Sequence, residues 1–186
     1  MRRPALLLII TAALLVPSLR AQSPTPQTTT ALACPSTATL DQLITAVDAA
    51  VSGPADKDRA CFRQLFLPDA RLIPLRIAAD GTAAPQILTV DGWIEAVRKR
   101  GSQVFYERQI NVRTETWAHM AHLWSTYETR TTPDGKPPDG KVPENKLLDR
   151  GINSIQAVFD GKQWHIIQIL WQAETPAGPV PEKYLP

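Results

Sequence analysis

Few side chains in this 186-residue chain have types and spacings suited to chemistry. Glu107 alternates with Phe105 and Gln109, so on a strand the three share one face. A carboxylate turned into an apolar interior loses hydration, its pKa rises, and it becomes a proton acceptor near neutral pH. The plainer alternative is an ion pair with Arg108 or Arg113, or simple exposure. Tyr127, if directed inward, would donate to a carbonyl of a bound molecule, or merely bond Asn153 or a backbone carbonyl. The histidines are His119, His122 and His165, and the first two fall on opposite faces of a strand, unlike a metal pair. No Gly-rich phosphate loop, nucleophile elbow or HExxH occurs, so no metal and no cofactor is expected.

These residues need a sheet to position them, and its centre is the stretch Gly151 to Trp171, GINSIQAVFDGKQWHIIQILW. Asp160-Gly161 between two apolar runs predicts a two-residue hairpin. Phe159 then faces Lys162, and the pairing continues through Ala157–Trp164, Ile155–Ile166 and Asn153–Gln168. One face is apolar except for the opposed amides of Asn153 and Gln168. That is the floor of a mostly dry pocket, or a core in which two amides satisfy each other.

The chain begins with Arg2 and Arg3, an apolar run from Ala5 to Val16, and a small residue at Ala21. This pattern predicts a signal peptide over 1–21, and hence a periplasmic or extracellular protein without a transmembrane segment. Losing Arg2, Arg3 and Arg20 would leave 17 basic against 18 acidic residues, so nothing argues for a nucleic-acid partner. Cys34 and Cys61, an even pair in an exported chain, predict a disulfide worth roughly 3–4 kcal/mol; two buried free thiols are the alternative.

Residues 22–38 are rich in Pro, Thr and Ser and read as a disordered linker. Thr39 and Gln42 have capping-box spacing before a helix through Leu43, Val47 and Val51. Asp56 is placed to cap a second helix that Pro68 ends, and Thr89 a third through Trp93 and Val97. Asp69 to Leu75 is a short strand whose Pro74 suggests an edge. Strands follow at 105–113 and 117–131, then a flexible connection over 133–149, the hairpin, and a Pro-rich tail at 176–186. Residues 39–175 make one α+β domain, with helices covering one sheet face.

The order helix–helix–strand–helix–strands, with LFLPDARL at Leu65 to Leu72, AHLWSTYETR at Ala121 to Arg130 and the hairpin itself, resembles the nuclear-transport-factor-2-like superfamily. That group includes SnoaL-like cyclases, ketosteroid isomerase and scytalone dehydratase. The resemblance implies a cone-shaped, strongly bent antiparallel sheet with three N-terminal helices packed on its concave face. It also implies that Ala121, Leu123, Ser125 and Tyr127 point inward while His122, Trp124, Thr126 and Glu128 point outward. The cavity set it suggests is Trp93, Tyr127, Ser125, Asn153, Trp164 and Gln168. Catalytic candidates are Glu107, Asp69 near the mouth, and Tyr127. The function so implied is an exported domain that binds a small molecule or a partner. The alternative is a cofactor-free isomerase, cyclase or dehydratase using a pocket carboxylate as general base. Superfamily members commonly pair through the convex face, which suggests a homodimer through His122, Trp124, Gln156, His165 and Trp171. Alternatively, Tyr184 and Leu185 fold back to cover that face within one chain.

Overall fold

The computed structural model describes residues 33–132 and 145–186. The expected signal peptide, most of the linker and most of the 133–149 connection lie outside the described residues.

The helices are α1 (Leu40–Val51), α2 (Ala60–Gln64) and α3 (Val90–Arg98). The strands are β1 (Gly53–Pro54), β2 (Phe66–Ile77), β3 (Ala83–Pro85), β4 (Leu88–Thr89), β5 (Val104–Trp117), β6 (Met120–Arg130), β7 (Leu147–Phe159) and β8 (Trp164–Ala173). The capping box forms: the Thr39 side chain accepts from Gln42 N, and the Gln42 side chain accepts from the Thr39 amide. The second helix is shorter than expected, because Asp58 rather than Asp56 takes the amide of Ala60 and the chain is already extended at Phe66. Cys34 and Cys61 form a disulfide. Together with a bond from Trp164 N to the Thr37 carbonyl at 2.8 Å, it fixes residues 34–37 of the expected linker to the domain.

The fold is α+β, built on a large curved sheet in the order β1-β5-β6-β7-β8-β2-β3, with β4 also on β2. The sheet is mixed and not wholly antiparallel. Strands β5 to β8 form an antiparallel meander, but β2 joins β8 in parallel. The first long strand and the last run the same way because no hairpin links them. Strand β2 is not an edge either: it pairs β8 on one side and β4 then β3 on the other. Its prolines are tolerated because Pro68 falls in the register shift between Phe66 and Arg71, and Pro74 lies where the partner changes from β4 to β3.

The β7–β8 turn corrects the expected register. The connection is four residues, Asp160 to Gln163, so Phe159 faces Trp164 rather than Lys162. The Asp160 carboxylate accepts the amides of Lys162 and Gln163, each at 2.8 Å, and Gly161 takes φ +99°. An Asx turn at Asp160 competes with the two-residue type. A bulge at Ile167 then shifts the register again, so Gln156 pairs Gln168 and Asn153 pairs Trp171. One extra residue flips every side chain beyond it. Ile169 and Trp171 therefore turn to the core side, and the expected Asn153–Gln168 pair does not form. Strand β6 keeps its expected alternation, with Ala121, Leu123, Ser125 and Tyr127 on the core face.

The core lies between that face and the helices: Leu43, Val47, Phe62, Leu72, Leu123, Ile155 and Ile166 are buried together. Each large aliphatic there contributes about 1.5–3 kcal/mol by leaving water. Arg59 is buried with them. Its Nη1 donates to the Ala50 and Val51 carbonyls at 2.7 and 2.8 Å, and its guanidinium lies 5.4 Å from the Trp93 ring centre and 5.7 Å from that of Phe105. Helix α1 has no basic residue in its last turn, so this cation from outside the helix serves its C-terminal carbonyls.

The C-terminal segment is folded onto the outer face. Thr126 Oγ1 donates to the Tyr184 carbonyl at 2.6 Å, Asn111 Nδ2 to that of Leu185 at 2.9 Å, and Arg113 to that of Lys183 at 2.6 Å. The Tyr184 ring stands between Arg113 and Trp124. Behind it, Glu128 pairs Arg130 at 2.9 Å and Arg150 at 3.8 Å, and Arg150 pairs Glu174 at 3.0 Å. The other Glu174 oxygen accepts Val180 N, which ties the tail to the charge network.

Candidate functional site

Side chains on the core face of the sheet come in cross-strand rows, and the rows change character along it. At one end Ala121, Ala157 and Ile166 align, then Leu123, Ile155 and Ile169. The next rows are Ser125–Asn153–Trp171, then Gln109–Tyr127–Gly151, then Glu107–Thr129–Asp149. Over this polar end opens a cavity of about 400 Å3. Val47, Val51, Phe62, Leu72, Trp93, Val97, Phe105, Ile169 and Trp171 give it an apolar wall, with Phe62 and Trp93 stacked at 4.4 Å. Glu107, Tyr127, Thr129, Asp149 and Asn153 give the polar floor, and Arg100 and Gln103 also line it.

Gln109 is the hub of the floor. Its amide nitrogen donates to Asp48 Oδ1 at 3.2 Å and to Glu107 Oε1 at 3.3 Å. Its oxygen accepts from Ser125 Oγ and from Asn153 Nδ2, the latter at 3.2 Å. One amide thus sits between two carboxylates, held by two buried donors. Glu107 also accepts from Thr129 at 3.5 Å. No cation pairs with Glu107 among the described residues, and Arg113, one expected partner, is committed to the tail.

Burial first, and then the Asp48 charge, push the Glu107 carboxyl up to about 7. Burial raises Asp48 to about 6 against the bonds from Gln109. Tyr127 donates to Asp149 Oδ2 at 3.2 Å, and burial beside these carboxylates drives its hydroxyl far above the usual phenol range. Asp149 is raised too, chiefly by burial. The Tyr127–Asp149 bond runs diagonally between neighbouring strands past Gly151. A Cβ there would press into the Gln172 carbonyl and stand 2.8 Å from the Tyr127 hydroxyl. Glycine at 151 makes the bond possible.

Of the residues expected at the cavity, Trp93, Glu107, Tyr127 and Asn153 line it, while Ser125 lies just beneath through Gln109. Trp164 packs against Phe159 at the apolar end, and Gln168 pairs Gln156 on the outer side; neither lines the cavity. Asp69 is exposed and away from it. Trp171, expected on the outer face with the association residues, lines the cavity because of the bulge. His122 bonds Ser154 at 2.9 Å and His165 bonds Asp160 at 3.1 Å, both away from the cavity, as are Trp124 and Gln156. No group of His, Cys, Asp and Glu suited to a metal ion occurs among the described residues.

Sequence reasoning missed Asp48, Gln109, Thr129 and Asp149. Asp48 did leave a signal: an acid in the last turn of a helix opposes the macrodipole and needs a reason to be there. Asp149 was hidden at the end of a Pro- and Gly-rich stretch that reads as loop, whereas β7 already begins at Leu147.

No family description matches the sequence, and no curated protein matches it. Solved structures do. One, assigned as the beta subunit of an aromatic-ring-hydroxylating dioxygenase of Novosphingobium aromaticivorans, is 12% identical with a TM-score of 0.54, over 73% of this chain and 87% of that one. The Kfla4162 protein of Kribbella flavida is 13% identical with a TM-score of 0.50, over 73% and 88%. An NTF-2-like protein of unknown function from Silicibacter pomeroyi is 12% identical with a TM-score of 0.45, over 73% and 92%. Identities this low speak of architecture alone: the first two matches, with the curved mixed sheet and the helix order, support the nuclear-transport-factor-2-like fold that the sequence resembles.

Proposed function

We propose that this is an exported domain that binds a small, largely apolar molecule in the cavity beneath α1, α2 and α3. One observation carries the reading: a space of about 400 Å3 walled by Phe62, Trp93, Phe105 and Trp171, with Glu107, Tyr127, Thr129, Asp149 and Asn153 gathered on its sheet floor. That combination is what small-molecule sites share, since the wall supplies affinity and the few polar groups fix orientation. Native mass spectrometry of protein purified from its own source is expected to show a bound small molecule, lost in the cavity-filling variant Val97→Trp. A chain that carries none, and whose Trp93, Tyr127 and Trp171 resonances ignore a panel of ring-containing fragments, would sink the reading.

A second reading is supported by Glu107. A half-buried carboxylate in the cavity, raised to about 7, is matched to proton abstraction near neutral pH. The chemistry would be cofactor-free: Glu107 takes a proton from carbon next to a carbonyl and returns it to a neighbouring atom. Deuterium exchange into ketones bound from the same panel, present in the wild type and absent in Glu107→Gln, would support it; equal exchange in both would remove it.

A further inference from the structure

The floor of the cavity is richer in negative charge than its wall is in positive charge, and its acceptors are spaced in one row. Glu107, Thr129 and Asp149 are directly opposed on β5, β6 and β7, which sets the outer two Cα atoms roughly 10 Å apart, two strand spacings. Thr129 donates to Glu107 and Tyr127 to the exposed Asp149, and the two carboxylates and the hydroxyl each keep acceptor lone pairs. Other charged and titratable groups act on this end: Asp48 from α1, Tyr127 from β6, Arg100 after α3, Arg108 of β5 through Asp48, and Glu174 from the outer side beyond β8. Arg59 is spent on the α1 carbonyls. Arg100 is exposed, lies 6.0 Å from the Phe105 ring centre, and acts on Asp149.

We propose that this row receives the primary ammonium group of an amine whose body is apolar and ring-sized. The inference rests on the cavity being a small-molecule site and names the class of molecule. An ammonium carries three donors and no acceptor, and the row presents three acceptor groups. Trp171 and the exposed parts of Trp93 and Phe105 offer aromatic surface for the body, and aromatic faces favour a nearby cation. A carboxylate-bearing ligand would instead be set against Glu107 and Asp149, with Arg100 the one cation among the described lining residues to answer it.

Binding then couples to the ionisation of Glu107. With the carboxyl near 7, about one molecule in ten is ionised at pH 6 and about nine in ten at pH 8. Amine affinity should rise about tenfold over that interval, while a neutral ligand is indifferent to it.

The test is calorimetric titration of the purified protein with three probes of one shape: 3-phenylpropylamine, 3-phenylpropan-1-ol and 3-phenylpropanoate. At pH 8 the amine should bind at least about tenfold more tightly than the alcohol, the worth of one charge-assisted contact, and the propanoate more weakly than both. At pH 6 the amine's advantage should shrink about tenfold. Glu107→Gln should bring amine and alcohol within about threefold of each other. Alcohol binding without an amine preference, or a preference for propanoate, overturns the proposal and leaves the small-molecule reading standing. Failure of all three to bind overturns both.

Discussion

Raising a carboxylate's pKa in the folded state costs stability as pH rises, and the cavity floor does so at Glu107 and Asp48 together. The sign follows from proton uptake. Below the unfolded pKa both states are protonated; between the two values only the folded state keeps its proton, so stability falls as pH rises through that window. Glu107 moves from 4.5 to about 7 and Asp48 from 3.8 to about 6. Between pH 5 and pH 8 linkage gives a loss of about 2.5 kcal/mol from Glu107 and about 1.4 kcal/mol from Asp48, each taken alone. The two share the Gln109 amide, and the Asp48 charge contributes to the Glu107 shift, so the sum is an upper limit. Urea unfolding of the wild type at the two pH values should show a loss of about 2–4 kcal/mol. Glu107→Gln should remove more than half of it, because the amide has no charge to desolvate. A wild type equally stable at both values, or a Glu107→Gln variant with an unchanged slope, would refute the argument from buried charge.

Other substitutions probe the same architecture. Gly151→Ala should cost about 2–4 kcal/mol in chemical denaturation, since its Cβ meets the β8 backbone and the Tyr127 hydroxyl; a cost below about 1 kcal/mol would mean the close approach relaxes freely. Arg59→Ala should cost about 3–5 kcal/mol and Arg59→Lys about half that, measured the same way, because lysine lacks the planar group that lies over Trp93 and Phe105 while bonding two carbonyls. Deleting residues 176–186 should cost about 2 kcal/mol and increase iodide quenching of Trp124 fluorescence; an unchanged midpoint with unchanged quenching would show that the tail does not hold the outer face in solution.

Much of this fold was legible because the relevant signals are local. The Thr39 capping box, the Thr89 cap and the β6 alternation all act within a few residues of themselves, and all appear where the sequence places them. What failed was counting. The Ile167 bulge carries no Gly or Pro, and Ala118, at φ +50° in the tight β5–β6 turn, is not a residue that advertises left-handed backbone. Parity along β8 depended on the first feature, so Gln168 and Trp171 exchanged faces. Glu107 could be placed by its alternation with Phe105 and Gln109, but its surroundings could not: Asp48 and Asp149 come from elements far from it in the chain.

The outer face shows why that exchange matters for association. With Trp171 turned inside and the tail laid across Thr126, Asn111 and Arg113, the aromatic patch expected there is reduced to Trp124, already in contact with Tyr184. Three hydrogen bonds to successive tail carbonyls and the Val180–Glu174 bond satisfy the segment's backbone, so displacing it leaves polar groups on both surfaces to be rehydrated. Apolar surface persists at the other end, at Trp117 and Met120, beside His122, Gln156 and Ile167. His122 and Gln156 lie clear of the tail, and Trp124 stays 37% exposed beside the Tyr184 ring. Charge reinforces the asymmetry: Glu174 holds both Arg150 and the Val180 amide, so the tail is joined to the same ion network that neutralises Glu128. Under the tail Glu128 and Glu174 are thus paired, whereas Glu107 and Asp149 have no ion pair among the described residues, and it is the cavity side that is left with charge for a ligand to answer.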